Sequence, residues 1–168
     1  MIFAFILFLV FSMCMLMAAY KDATSMTIPN WISLALIGAF FVMLPFTWAG
    51  PSVFAEHLLV GLTFFAAGFA MFAFGWLGGG DAKMMAATAL WWTWPDAVNY
   101  IYFSAAFGGI LGLALLLGRR YIPVRVLTSE WAYMMFKDQK KMPYGLALAA
   151  GGIVTLLKSD IFLRAVGA

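Results

Sequence analysis

The sequence predicts an all-α, polytopic membrane protein with about six transmembrane helices, forming one domain over residues 1–168. Three observations predict this. Hydrophobic residues make up 65% of the chain and charged residues 10%, against roughly 45–50% and about 25% in soluble domains. The mean hydropathy is +0.98, which leaves too little polar surface to cover a water-soluble globule. Most of the Lys and Arg residues lie between apolar runs, where membrane loops carry them. The lipid bilayer is therefore an expected partner. The net charge of +3 does not argue for a nucleic acid, because it follows the membrane pattern.

The first apolar run, residues 2–20, ends at "KD"; its 19 residues reach roughly 28 Å at the helical rise, close to the hydrocarbon thickness. "MAAY" at its end has the look of a signal-peptidase site. No Lys or Arg precedes the run, however, and it exceeds the usual h-region of about 7–15 residues, so a retained transmembrane helix is expected. Cys14, the single cysteine, lies inside this run as a small packing residue. It excludes a disulfide within the chain and leaves no cysteine set for zinc.

"IPNW" opens the second segment, 31–48; Pro29 and Asn30 suit a helix start. "AGPS" turns the chain into the third, 53–77, whose first turn is expected to hold Glu56 and His57 facing water. The fourth, 82–95, has only 12 uncharged residues between Lys83 and Asp96, fewer than the ~17 that usually span. A crossing in a locally thinned bilayer is expected, with Trp91, Trp92 and Trp94 at the far interface. The fifth covers 97–118. A basic stretch, 119–142, follows and contains "WAYMMFK", either a short interfacial helix or a connector. The sixth runs over 143–163.

Parity then places the charges. Asp22 follows one crossing, Asp81 three and the basic stretch five, so all share one face. That face carries 8 of the 10 Lys and Arg residues. The positive-inside rule makes it cytoplasmic and puts the N-terminus outside.

Among seven acidic residues, Asp22 and Asp81 alone lie on this face directly against apolar helices. Two readings stay open. Each is a solvated helix-end residue with Lys21 or Lys83 beside it, or the two form a reactive pair. Two carboxylates held close cannot both ionise easily. The ionised member can then draw a proton from water while the protonated one polarises a peptide carbonyl. Such chemistry needs no metal, cofactor, cysteine or histidine, and His57 is expected on the opposite face. Gly78, Gly79 and Gly80 lack side chains, so the chain can turn sharply before Asp81 and an extended substrate can approach as an added strand. Equally, Gly75 and Gly79 can serve only to let two helices pack closely. A small transporter or an assembly scaffold, using both acids as a proton or cation site, is the competing class. A transporter would more naturally hold its charges near the bilayer midplane.

"GGGDAK" before an Ala-rich helix resembles the GxGDxK signature of the type IV prepilin peptidases. "YKDATSMTIPNW" is similar to that family's first aspartate segment, and "MPYGLALAAGG" to the Pro-Tyr-Gly start of its last helix. The three occur in the family's order and cover nearly the whole chain. The resemblance implies that Asp22 and Asp81 are catalytic aspartates in a bacterial inner membrane. It marks Gly78, Gly79, Gly80, Lys83, Pro143, Tyr144 and Gly145 as motif or substrate-lining positions, and it implies a prepilin-type membrane protein as substrate, cut at its short basic leader. Larger members carry a loop with paired CxxC motifs and also N-methylate the product. This chain has one cysteine and a short first loop, as in the compact peptidases of Flp-type pili. Presenilin-like proteases share only Gly-x-Gly-Asp. Oligomeric state is not legible.

Overall fold

The computed structural model describes residues 2–121 and 142–167. The "WAYMMFK" segment and Arg125, Lys137, Lys140 and Lys141 lie outside the described residues. Within them the chain forms α1 (Ile2–Ser25), α2 (Asn30–Met43), α3 (Pro51–Ala73), α4 (Gly79–Ala89), α5 (Trp94–Tyr121), α6 (Tyr144–Leu156) and α7 (Asp160–Val166), with a 3-10 turn at Leu44–Phe46. The closest pairings set α5 against α6, α3 against α4 and α1 against α6.

Three helices are long and apolar enough to cross a membrane: Phe5–Ser25, Pro51–Ala73 and Trp94–Tyr121. A fourth results if α6 and α7, bent by 44°, count as one span. The remaining two expected crossings are short. Asn30–Phe46 is a shorter apolar helix ending in the 3-10 turn around Pro45. α4 has 11 residues, about 16 Å of helix. The chain stops there because "TWPD" starts a new helix. The Ala97 N–H bonds to the Thr93 carbonyl at 2.9 Å, the Thr93 hydroxyl donates to Asp96 Oδ2 at 3.1 Å, and Pro95 sits in a first turn that tolerates it.

Two expectations are corrected at this end. Trp91 and Trp92 do not sit at an interface; both are fully buried. Their rings pack edge-on against Phe11, with centroids 5.0 and 5.5 Å away. The Trp91 indole N–H donates to the Leu36 carbonyl at 3.2 Å, which removes its need for water. His57 does not face water either. It is 3% exposed, its ring 5.5 Å from that of Phe40. Glu56 beside it accepts the Trp94 backbone N–H at 2.9 Å, tying α3 to the start of α5. Asp96 Oδ2 also accepts the Asp160 N–H at 3.1 Å, joining α7 to the same end. Tight small-residue packing brings α3 onto α4, since a Cβ on Gly61 would lie 2.6 Å from Leu90 Cδ2.

Candidate active site

α1 runs five residues beyond its expected end. The hydroxyls of Thr24 and Ser25 donate back to the carbonyls of Tyr20 and Lys21, each at 2.7 Å. Met26, at φ +52°, then closes the helix, with its N–H on the Asp22 carbonyl at 2.9 Å. Asp22 therefore belongs to the last turns of a rigid helix rather than to the loop after it, and is 5% exposed.

The glycine run differs from the expectation as well. The sharp turn falls at Gly75, at φ +72°. Gly78 is extended, at φ −69° and ψ 147°, and serves as the N-cap of α4. Gly79 and Gly80 are already helical, so only Gly78 offers extended backbone to a strand. Asp81 lies in the first turn of α4 and is 8% exposed. A Cβ on Gly78 would come within 2.9 Å of Asp81 Oδ2, and one on Gly79 within 3.2 Å of the Phe72 ring.

One side chain lies between the two acid-bearing helices. Ile28 is buried, and a Cβ on Gly80 would stand 3.1 Å from its Cβ and 3.2 Å from its backbone nitrogen. A Cβ on Gly145 would meet Ile28 Cδ1 at 2.9 Å and Asp22 Oδ2 at 2.8 Å. Ile28 thus fits between two glycines, one on the helix of Asp81 and one on the helix that faces Asp22. Sequence reasoning did not single out Ile28. The available signal was the pair of glycines, whose partner no single stretch reveals.

α6 completes the arrangement. Pro143 is its N-cap position and Tyr144, 41% exposed, its first residue. The Gly145 backbone N–H donates to Asp22 Oδ2 at 2.7 Å. A free N–H at a helix start, aligned with the helix dipole, favours the charged carboxylate. Asp81 is equally buried but differs in its partners. Its Oδ1 is buried without a hydrogen-bond partner. The two acids thus differ in their partners: Asp22 Oδ2 accepts a backbone amide, whereas Asp81 Oδ1 has no hydrogen-bond partner.

Lys83 points elsewhere. Its ammonium donates to Asn30 Oδ1 at 3.0 Å, linking the first turns of α4 and α2. It makes no ion pair with Asp81. Neutral Lys83→Met is expected to lower kcat about threefold to fivefold with KM unchanged, as fits a net contribution of about 1 kcal/mol. Asn30→Ala should do the same, and the double variant should be no worse than either. Additive losses in that cycle would mean that the two side chains do not act together. Among the described residues no three His, Cys, Asp or Glu side chains converge as metal ligands.

Residues 9–113, well over half of the chain, match the type IV leader peptidase family. The chain belongs to that family. No curated protein and no solved structure matches it. The leader peptidase match includes both acids, the three glycines, Ile28 and Lys83 but ends before Pro143, Tyr144 and Gly145. The 2.7 Å contact between Gly145 and Asp22 is what ties this later helix to the matched region. As a leader peptidase family member, the chain is a membrane-helix protein in which peptide cleavage is the expected chemistry.

Proposed function

We propose that this protein is an aspartic endopeptidase that removes the short basic leader of a prepilin-type, Flp-like membrane precursor at the cytoplasmic face of a bacterial inner membrane. The observation that carries the reading is the asymmetric pair. Asp22 is anchored by an amide 2.7 Å away, and Asp81 is buried with one oxygen unpartnered. Asp22, ionised, takes a proton from water as the water oxygen attacks the scissile carbonyl carbon. Asp81 gives its proton to the carbonyl oxygen. Collapse of the tetrahedral intermediate breaks the C–N bond, with a proton passing to the departing amine, and leaves the pair sharing one proton again.

The topology that accompanies this reading has six crossings, with the N-terminus outside and α2 and α4 as the short ones. It puts both acids on the face where 8 of the 10 Lys and Arg residues lie. The single cysteine supports proteolysis without the CxxC-bearing insertion of the N-methylating members.

The test is incubation of the purified protein with a co-expressed prepilin-type precursor and mass analysis of the product. Loss of the leader without added methyl mass supports the reading. An intact precursor, with ion-dependent flux in proteoliposomes, would assign the acids to transport instead.

A further inference from the structure

Among the described residues α1 and α4, the two helices that carry the acids, scarcely touch each other; each packs instead on α2 and on α6. The separation of Asp22 from Asp81 is therefore set by what stands between their helices. One such part is the start of α6, whose Gly145 amide holds Asp22. The other is the link from α1 to α2, which buries the side chain of Ile28.

Ile28 is fitted at both of its ends. Toward α4, a Cβ on Gly80 would stand 3.1 Å from Ile28 Cβ, 3.2 Å from its backbone nitrogen and 3.4 Å from its carbonyl oxygen. The backbone of the residue next to Asp81 thus lies directly on Ile28. Toward α6, a Cβ on Gly145 would stand 2.9 Å from Ile28 Cδ1. The branch point faces one segment and the far methyl faces the other, so one side chain spans the gap.

The link also fixes where Ile28 stands. A residue before proline is confined to extended backbone, and Pro29 is itself extended, at φ −63° and ψ 141°. Just upstream, the Ser25 and Thr27 hydroxyls pair at 2.9 Å. Isoleucine is branched at Cβ, which stiffens χ1. An ordinary apolar plug needs only volume; this position is constrained in shape as well, because both neighbours are glycines already in close contact.

We propose that Ile28 is a positioning residue of the acid pair: its side chain, seated between Gly80 and Gly145, acts as the spacer that sets the separation of Asp22 and Asp81. It touches no reacting atom and acts through the two glycines. This rests on the reading of Asp22 and Asp81 as the cleaving pair.

Two measurements on the full-length protein in liposomes test the role. The first is kinetic, with a prepilin-type precursor as substrate. Ile28→Leu keeps the apolar volume but moves the branch off Cβ, a change that a plain core position tolerates. Ile28→Val removes the methyl that faces Gly145. Each should lower kcat about tenfold with KM little changed, as a misplacement of a fraction of an ångström does. Ile161→Leu and Ile161→Val, at a buried isoleucine on α7, should change neither constant.

The second measurement needs no cleavage. Asp22→Cys and Asp81→Cys are combined in a Cys14→Ala background. Their oxidation rate reports how often the two positions come within the Cα separation of about 4.4–6.8 Å that a disulfide requires. Adding Ile28→Val should speed disulfide formation at least about threefold, because the helices can then close on the vacated space; adding Ile161→Val should not. Wild-type kcat in Ile28→Leu, or a disulfide rate that Ile28→Val leaves unchanged or slows, overturns the positioning role. A wild-type protein that cleaves no precursor, with the disulfide still accelerated by Ile28→Val, overturns the proteolytic reading and leaves the spacer standing.

Discussion

Asp22→Asn and Asp81→Asn are each expected to lower the rate of leader removal by roughly 10²–10⁴-fold, the span over which a positioned acid or base contributes. Asn keeps the volume of the side chain but can neither accept the water proton at position 22 nor deliver one to the carbonyl at position 81. The two losses should not multiply, because the residues work as one proton-sharing unit; the double variant should be about as slow as the worse single one. Both positions are buried, so thermal unfolding in detergent must accompany the kinetics. Asn at 81 keeps the side-chain volume and adds no charge to a buried position, so that variant should fold normally. Cleavage within a few-fold of wild type in either variant, with the protein folded, would remove the paired-acid mechanism.

Gly145→Ala should be nearly as damaging although it removes no reactive group. The added methyl would stand 2.8 Å from Asp22 Oδ2, 2.9 Å from Asp22 Cβ and 2.9 Å from Ile28 Cδ1. Real Cβ contacts are not this short, so Asp22 must move off the Gly145 amide or α6 must shift away. Either displaces the base by a fraction of an ångström to an ångström, a misplacement that can cost about 10²-fold in rate. The loss should appear in kcat, with KM for the precursor little changed. Gly38→Ala is the matched control, since its Cβ would meet nothing within 4 Å. Wild-type kcat in Gly145→Ala would show that the amide contact does not hold the base.

Apolar composition, the positions of the charges and the three short motifs were enough to read a helical membrane protein and the leader peptidase family. Helix ends were read less well, for a local reason at each. The serine and threonine hydroxyls after Asp22 return to carbonyls within the helix, which extends α1 past the charges that seemed to end it. At "WWTWP" three tryptophans suggest a membrane interface, yet two of them fill the core, because Leu36 supplies a carbonyl to one and Phe11 packs against both. His57 and Lys83 were misplaced or left without a partner for the same reason, since Phe40 and Asn30 lie far away in sequence.

The sequence by itself determined that the chain is a membrane-embedded helical protein and that Asp22 and Asp81 are its candidate acids, because residue chemistry and hydropathy are properties of single positions and short windows. Only the tertiary structure decided that the two acids differ. One accepts an amide from a helix 123 residues further along the chain, while the other keeps one oxygen buried without a partner. It also decided that Ile28 lies between Gly80 and Gly145. Solvation, hydrogen bonding and Coulomb interaction depend on distance in space, and no spacing along the chain encodes those distances.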